Sequence, residues 1–230
     1  MGTVRALNKL TSDERREAII QAVKTVFAKK GFYGTTTKEL AAAAGISEAL
    51  LFKHFPNKEA LYDSVIESCF DDPGFAEIVS NRFLNLQPSS ETLIMIVHFM
   101  ISHYVSQGNR AGNVMDRLAV QSMMADGEFL RRTINKVADT WIHKFGECLE
   151  AARKAGDLHD SPVRTDLRFW FTQHIGFSLM LHRDLPEKPA LDYKVSKDTI
   201  IEQATWYALL GIGIKEEVIR KSYNVKALGR

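Results

Sequence analysis

Apolar residues recur along the chain at helical spacing, and almost no segment shows the strict alternation that predicts a β-strand. Between Thr11 and Gly31 the apolar positions form one stripe that includes Ile20 and Phe27. The Thr-Ser-Asp-Glu run at the start of this segment is typical of a capping box, and the glycine at its end is a common helix stop. The pattern predicts a first helix that begins near Ser12 and ends before Gly31.

Three shorter helices are predicted to follow. Thr36 opens a second capping box, and the helix that it starts runs through four alanines to Gly45, which can adopt a positive φ in a tight turn. Ser47 is predicted to cap the next helix, which ends near Phe55, and another begins at Lys58. Two short helices around a tight turn form a helix-turn-helix, whose second helix can place side chains on base edges in a DNA major groove. On spacing alone, an ordinary helical hairpin is the open alternative.

The rest of the chain has the pattern of longer helices, separated by Gly, Pro and Ser. Their rough predicted spans are 75–84, 90–107, 112–125, 127–155, 162–184 and 197–222. Ser161 is predicted to cap the fifth of these, because Pro162 then takes the first helical position, which proline favours.

Composition and charge restrict the class of protein. The chain has 230 residues, 45% hydrophobic and 25% charged, which is typical of a soluble globular protein. Its net charge of +2 does not by itself indicate a protein that binds nucleic acid. Residues 1–70, however, carry ten basic and eight acidic side chains, so the whole positive excess lies there. This segment is the one expected to meet phosphate if any part does.

Neither a membrane protein nor an enzyme is predicted. The apolar run from Leu93 to Ile101 is far shorter than the roughly 20 residues that cross a bilayer, and no secretory signal is evident. Cys69 and Cys148 allow one disulfide, but two reduced thiols in a cytoplasmic chain are the favoured interpretation. The histidine spacings match no metal-ligand signature, and no nucleophile or nucleotide motif occurs. No catalytic residue, metal or cofactor is therefore predicted.

The segment from Phe32 to Leu61 resembles the N-terminal DNA-binding domain of TetR-family transcriptional regulators. Its sequence is FYGTTTKELAAAAGISEALLFKHFPNKEAL. The resemblance rests on a G-x-T-T element, an A-x-x-A-G-[IV]-S turn, a [YF]-x-H-F end to the recognition helix and an N-K-E-x-L start to the next, and it covers about Arg15 to Ile66. It implies an all-α protein: a three-helix helix-turn-helix DNA-binding domain at 1–68, joined to a helical ligand-binding and dimerisation domain at 69–230.

The resemblance also implies which side chains meet DNA. The expected contacts are Thr36, Thr37, Lys38, Ser47, Glu48, Ala49, Leu50, Phe52, Lys53, His54 and Lys58. Glu48 could accept a hydrogen bond from a cytosine amino group, or it could be a first-turn acid that faces away from the bases. Phe52 replaces the more frequent tyrosine and lacks a hydroxyl that could bind phosphate, so one backbone contact is in doubt.

For the second domain, the resemblance implies an apolar effector pocket and a four-helix dimer interface. The candidate pocket residues are Phe99, His103, Met123, Trp141, Phe145 and His174. The candidate interface residues are Trp170, Phe177, Leu181, Trp206 and Leu210. For both sets the alternative is that the side chains belong to the core of a single chain, since apolar residues at helical spacing are more often core residues.

These expectations describe a ligand-responsive transcriptional regulator, most simply a repressor. A homodimer would bind a palindromic double-stranded DNA operator and be released by a small, largely apolar or aromatic effector. The alternatives are a helical enzyme or binding protein for an apolar small molecule, and a helical scaffold that binds only protein.

Overall fold

The structure is a computed structural model that describes residues 11–71, 82–106, 114–184 and 188–224. Within these segments the predicted all-α fold is confirmed, since they contain α-helices, short helical turns and no strand. The α-helices are α1 (Ser12–Lys30), α2 (Thr37–Ala43), α3 (Glu48–His54), α4 (Lys58–Phe70), α5 (Ser90–Ser106), α6 (Val114–Met123), α7 (Glu128–Lys154), α8 (Thr165–Leu179), α9 (Lys197–Ile212) and α10 (Glu216–Ser222).

The caps of the first helices are those that the sequence predicts. Thr11 and Thr36 each accept a hydrogen bond from the backbone amide three residues on, and the glutamate at that position binds back to the cap amide. Ser47 caps α3 by accepting from the amide of Leu50 at 3.2 Å. Asn57, which the sequence analysis did not single out, caps α4 in the same way.

Two predicted helix boundaries are wrong. The helix predicted from residue 162 begins at Thr165, because the guanidinium of Arg168 takes the carbonyls of Ser161 and Val163 at 3.1 and 2.9 Å. The long helix predicted to run to residue 222 ends at Ile212, where Gly213 adopts φ +104°, and α10 follows separately.

The other long helices follow the predicted spans more closely. Most of the span 75–84 lies outside the described residues, and Arg82–Asn85 forms a 3₁₀ turn. α5, α6 and α7 lie inside the spans predicted for them. α8 is followed by one π-helical turn, Met180–Asp184.

The described chain divides into two compact units. The first comprises residues 11–71 and 114–136, and the second comprises residues 82–106, 137–184 and 188–224. In the first unit α1 packs against α2, α4 and α6. Its largest fully buried side chains are Ile19, Phe27, Leu40, Leu51, Phe55, Leu61, Ile66 and Phe129.

The second unit is built around α5, which packs against both α8 and α9. The approach of α5 and α8 is close at Gly176, where an added Cβ would lie 2.7 Å from the ring of Tyr104 and 3.0 Å from the carbonyl oxygen of Met100. Phe145, Leu93 and Ile94 are among the fully buried side chains of this unit. No helix in the described residues is long and apolar enough to cross a membrane.

Candidate nucleic-acid interface and aromatic cluster

The turn between α2 and α3 is fixed by backbone hydrogen bonds. The amide of Gly45 donates to the carbonyl of Ala42 at 3.1 Å, and the amide of Ile46 donates to the carbonyl of Ala41 at 3.0 Å. This pair of bonds is the Schellman arrangement, and it requires the positive φ of +68° that Gly45 adopts. The predicted helix-turn-helix is therefore present, and the direction in which α3 leaves the turn is set by the backbone.

A cluster of polar groups holds the start of α2. The Glu39 carboxylate accepts from the amide of Thr36 at 3.0 Å and forms an ion pair with Lys30. The hydrogen bond from Lys30, followed by those from Thr36, lowers the pKa of Glu39 to about 2. Thr36 is thus a helix cap in this structure, and its side chain is exposed.

A side-chain hydrogen bond joins α2 to the recognition helix α3. The hydroxyl of Thr37 donates to the Glu48 carboxylate at 2.7 Å. Glu48 is nonetheless exposed, so its carboxylate has room for a second donor. The bond orients the Glu48 carboxylate toward the start of α2. Neither of the two predicted roles for Glu48 included this contact.

Arg16 anchors the other end of α3. Its guanidinium donates to the carbonyl of His54 at 2.7 Å and to the hydroxyl of Ser64 at 2.9 Å, and it lies 4.1 Å above the ring of Phe55. One side chain of α1 therefore connects the last turn of α3 to α4. The sequence does not distinguish Arg16 from a solvated surface arginine, because it lies at the border of an apolar stripe.

His54 lies at the same end of α3 and is mostly enclosed. Its Nε2 atom is buried and has no hydrogen-bond partner. Burial, followed by the charges of Arg15, Lys53 and Arg16, lowers the pKa of His54 below its ordinary value. A neutral imidazole is therefore favoured at this position.

Most of the remaining candidate DNA contacts face solvent. Lys38 on α2 and the side chains of Ser47, Ala49 and Lys53 on α3 are exposed, and Leu50 is half-buried. The ring of Phe52 is 43% exposed. These candidates thus lie on two linked helices, and their polar side chains are not part of the core.

Lys58, by contrast, is half-buried against aromatic rings. Its Nζ atom lies 4.3 Å from the centre of the Phe32 ring, which itself packs against Tyr62 at 5.1 Å and Phe27 at 6.4 Å. Burial lowers the pKa of Lys58 below its ordinary value. The Phe32 ring thus positions the Lys58 ammonium group, whereas a freely solvated lysine would have no such contact.

Tyr33 is a further residue that sequence patterns alone did not indicate. It is 74% exposed, and its ring meets the Phe32 ring edge-on with the two centres 5.2 Å apart. One feature of the sequence could have indicated a role for Tyr33: it is an aromatic residue that lies outside the apolar stripe and directly before the helix-turn-helix.

In the second unit, three of the candidate pocket residues lie together. Phe99 stacks on Trp141 with ring centres 5.7 Å apart and contacts His103 at 5.8 Å. Trp141 is only 5% exposed, and its indole Nε1 has no hydrogen-bond partner. We call Phe99, His103 and Trp141 the aromatic cluster.

The other three candidate pocket residues lie elsewhere. Phe145 is fully buried and packs edge-on against Phe169. His174 is exposed and stacks on Trp170 at 6.3 Å. Met123 belongs to the first unit, on α6, and is 51% exposed.

The candidate interface residues line α8, the π turn and α9 of the second unit. Leu210 is 49% exposed, and Trp170, Phe177, Leu181 and Trp206 are half-buried. Further large apolar side chains on the same helices are exposed, namely Leu167 at 38%, Phe171 at 55% and Tyr207 at 72%. We call these exposed residues and Leu210 the apolar face.

No metal centre is formed within the described segments, where no group of three or more His, Cys, Asp or Glu side chains could hold an ion. Cys69 and Cys148 are buried and form no disulfide.

Comparison with known proteins gives the N-terminal segment a family. The family model of bacterial regulatory proteins of the tetR family matches residues 19–65. The nucleoid occlusion factor SlmA of Sodalis glossinidius is 40% identical over 84 residues, which are 36% of this chain and 40% of that protein. SlmA of Cronobacter sakazakii is 30% identical over 124 residues, which are 54% of this chain and 60% of that protein. The matched segment thus spans less than two thirds of these relatives.

Solved structures resemble the fold along most of the chain. A regulatory protein of the tetR family from Rhodococcus RHA1 covers 88% of this chain and 98% of its own, with a TM-score of 0.62 and 19% identity. AibR in complex with isovaleryl coenzyme A and operator DNA covers 84% of this chain and 97% of its own, with a TM-score of 0.59 and 18% identity. At these identities the likeness is one of fold.

Proposed function

We propose that this chain, which belongs to the TetR family of bacterial regulatory proteins, is a ligand-responsive regulator that binds a palindromic operator as a homodimer. The observation that carries the proposal is the way α3 is held. Its N-terminal end is fixed by the turn at Gly45 and by the Thr37–Glu48 bond, and its C-terminal end is fixed by Arg16, while its outer side chains face solvent. A helix fixed at both ends and free on one face suits docking into a major groove.

The proposed DNA contacts divide into two kinds. Lys53, Lys58 and the hydroxyl of Ser47 would meet phosphates and set the position of the domain on the duplex, and Thr36 would join them by exchanging the hydrogen bond that its hydroxyl donates to Glu39 at 3.1 Å. Lys38, Thr37, Glu48, Ala49 and Leu50 would lie nearest base edges, where the two apolar side chains fit a thymine methyl. Phe52 and His54 would lie against the sugar-phosphate backbone.

The role of Lys58 is tested by salt dependence. Each phosphate that a lysine neutralises releases condensed counterions, so Lys58→Ala should weaken binding to all duplexes and lower the slope of log K against log salt by about one per half-site. Lys221→Ala, which removes the same charge from exposed α10 in the second unit, is the matched control. An unchanged slope in Lys58→Ala would exclude a phosphate contact at this lysine.

The role of Glu48 is tested by operator selection. The Thr37 hydroxyl orients the Glu48 carboxylate at 2.7 Å, so Glu48→Ala and Thr37→Val should both alter the DNA sequences selected from a random duplex library. Lys38→Ala should change the selection at a different position. If Glu48→Ala selects the consensus of the wild type, Glu48 plays no part in base readout.

The proposed homodimer would use the apolar face of α8 and α9. Exposed Phe171, Tyr207 and Leu210 form part of a surface of the kind that monomers seldom leave open. Half-buried Trp170, Phe177, Leu181 and Trp206 would complete it at the edges. Leu210→Asp should shift the protein toward monomer in sedimentation velocity, whereas Lys221→Asp should not. A dimer unaffected by Leu210→Asp would place the interface elsewhere.

The aromatic cluster is the proposed effector site of the second unit. Trp141 has an unpartnered indole N–H, and an unmet buried donor costs about 1–3 kcal/mol, which an effector carrying a hydrogen-bond acceptor could recover. The proposed effector is therefore an aromatic or apolar molecule with a carbonyl or carboxylate group. Phe145, Met123 and His174 would contribute only if the effector-bound conformation differs from this one.

Effector action is tested by reciprocity. Compounds that release the protein from operator should bind the operator complex more weakly by the same factor, because the coupling free energy is shared. Trp141→Phe, which keeps the ring stack and loses the N–H, should weaken effectors that have an acceptor group and spare hydrocarbon analogues. A ligand that binds the free protein and the operator complex with equal affinity would contradict the induction mechanism.

A second candidate comes from the relatives named nucleoid occlusion factors. The observation in its favour is the 40% identity to such a factor over 84 residues. Mapping of chromosomal occupancy in cells distinguishes the two candidates. A repressor would occupy promoters and be released by effector, whereas occupancy that is unrelated to promoters and unaffected by effector would favour the second candidate. Either role would be performed in the cytoplasm, where the chromosome lies.

A further inference from the structure

Tyr33 presents most of its side chain to solvent and packs only along one edge of the Phe32 ring. It is 74% exposed, although its neighbour Phe32 and nearby Tyr62 pack into the aromatic core of the first unit. Burial of apolar surface therefore does not explain the tyrosine. The phenol hydroxyl is a hydrogen-bond donor at the surface, directly before the helix-turn-helix.

The loop that carries Tyr33 is tightly held. The buried hydroxyl of Thr35 donates to the carbonyl of Gly31 at 2.7 Å across the base of the loop. At Gly34 an added Cβ would lie 2.3 Å from the carbonyl oxygen of Lys30, so the backbone there has no room to shift toward α1. The position of the Tyr33 ring is thus fixed by its own loop and by the edge-on contact with Phe32.

Phe32 contacts both Tyr33 and Lys58. The Lys58 ammonium lies 4.3 Å from the centre of the Phe32 ring, and the Tyr33 ring centre lies 5.2 Å from the same point. One ring therefore positions both a cation and a phenol at the edge of the helix-turn-helix. Phosphate oxygens accept hydrogen bonds from both kinds of donor.

We propose that Tyr33 is a DNA-backbone ligand that donates its hydroxyl to a phosphate next to the one bound by Lys58. It would supply a hydroxyl contact in a protein whose recognition helix carries Phe52, which has none. The inference rests on the proposed binding of DNA. Because the phenol is neutral, its contact contributes affinity without releasing an additional counterion, which separates it from Lys58.

The test compares Tyr33→Phe with Tyr193→Phe, a control that removes one hydroxyl from a loop of the second unit. The probe is a duplex that the wild-type protein selects from random double-stranded DNA. Tyr33→Phe should weaken binding by about 3- to 10-fold, the usual effect of one hydrogen bond, and leave the salt slope unchanged. Tyr193→Phe should bind as the wild type does.

A modified probe locates the contact. Replacing single phosphates by neutral methylphosphonates should reveal one position where the wild type loses affinity and Tyr33→Phe loses much less. If the wild type and Tyr33→Phe bind equally while Lys58→Ala is weakened, the proposal for Tyr33 is overturned and DNA binding stands. If the wild type shows no salt-dependent binding to any duplex, the proposed function itself fails.

Discussion

Substitution of Arg16 should strongly affect the first unit. Its guanidinium makes two hydrogen bonds, to the His54 carbonyl at 2.7 Å and the Ser64 hydroxyl at 2.9 Å, and it lies over the Phe55 ring at 4.1 Å. Arg16→Ala removes all three contacts and leaves a C-terminal carbonyl of α3 without this partner. Loss of the arrangement should also let the recognition helix change its direction.

The magnitude follows from the contacts. Hydrogen bonds to a charged group contribute about 1.5–3 kcal/mol each and a partly exposed cation–π contact about 0.5–1 kcal/mol, but contacts of one side chain are not additive. A loss of about 2–3 kcal/mol is expected for Arg16→Ala after solvent screening of a half-buried group. At roughly 2–4 °C per kcal/mol for a chain of this size, Tm should fall by about 4–12 °C.

The assay is denaturation followed by circular dichroism at one fixed protein concentration, with operator affinity measured in parallel. Lys29→Ala, an exposed position of the same helix, is the control and should change stability by less than about 0.5 kcal/mol. A double-mutant cycle with Ser64→Ala should give a coupling of about 0.5–1.5 kcal/mol. An Arg16→Ala protein as stable as the control, with additive effects in the cycle, would refute the reasoning.

Three further predictions concern close packing and buried histidines. Gly176→Ala should lower Tm, since its Cβ would lie 2.7 Å from a ring and 3.0 Å from a carbonyl oxygen, whereas Gly146→Ala has its nearest neighbour at 3.5 Å and should be neutral or stabilising. Gly34→Ala should destabilise the first unit and weaken DNA binding, because its Cβ would meet a carbonyl oxygen at 2.3 Å. Stability should decline as pH falls below about 6.5, because burial lowers the pKa of His98 and the unfolded chain then binds the proton more readily. His98→Gln should reduce this decline in pH-dependent denaturation without abolishing it, because the pKa of His54 is lowered too.

The sequence predicted local structure best where one residue type has one physical role. Thr11, Thr36 and Ser47 cap helices because their side chains satisfy backbone amides three residues away, and that rule needs no tertiary contact. Gly45 adopts the positive φ that the turn requires. The helix-turn-helix was predictable because its constraints are short-range.

The errors arose where a distant group competes with a local rule. Ser161 and Pro162 form a good helix start by pattern, but Arg168 captures the carbonyls of this loop. Gly213 lies in a pattern that continues as helix, yet its positive φ ends α9, and an antiparallel bridge between Leu158 and Ile214 follows. Neither competing contact is visible from spacing.

The same distinction applies to the candidate sites. Resemblance selected Lys58, but only the structure shows that the Phe32 ring contacts both its ammonium group and the Tyr33 ring. Phe99 and Trp141 stack on each other, whereas Phe145 is a fully buried core residue. Apolar spacing cannot distinguish the two cases, because all three residues lie on the inner faces of helices.

The small net charge of the chain is compatible with DNA binding because several acids near the helix-turn-helix are already engaged. Glu39 binds Lys30 and the cap of α2, and Glu48 accepts from Thr37. These carboxylates act on the protein's own donors at close range, where they hold α2 and α3 in place. Lys38 and Lys53 stay exposed, so the field that a phosphate meets depends on where these cations point and not on the sum of +2.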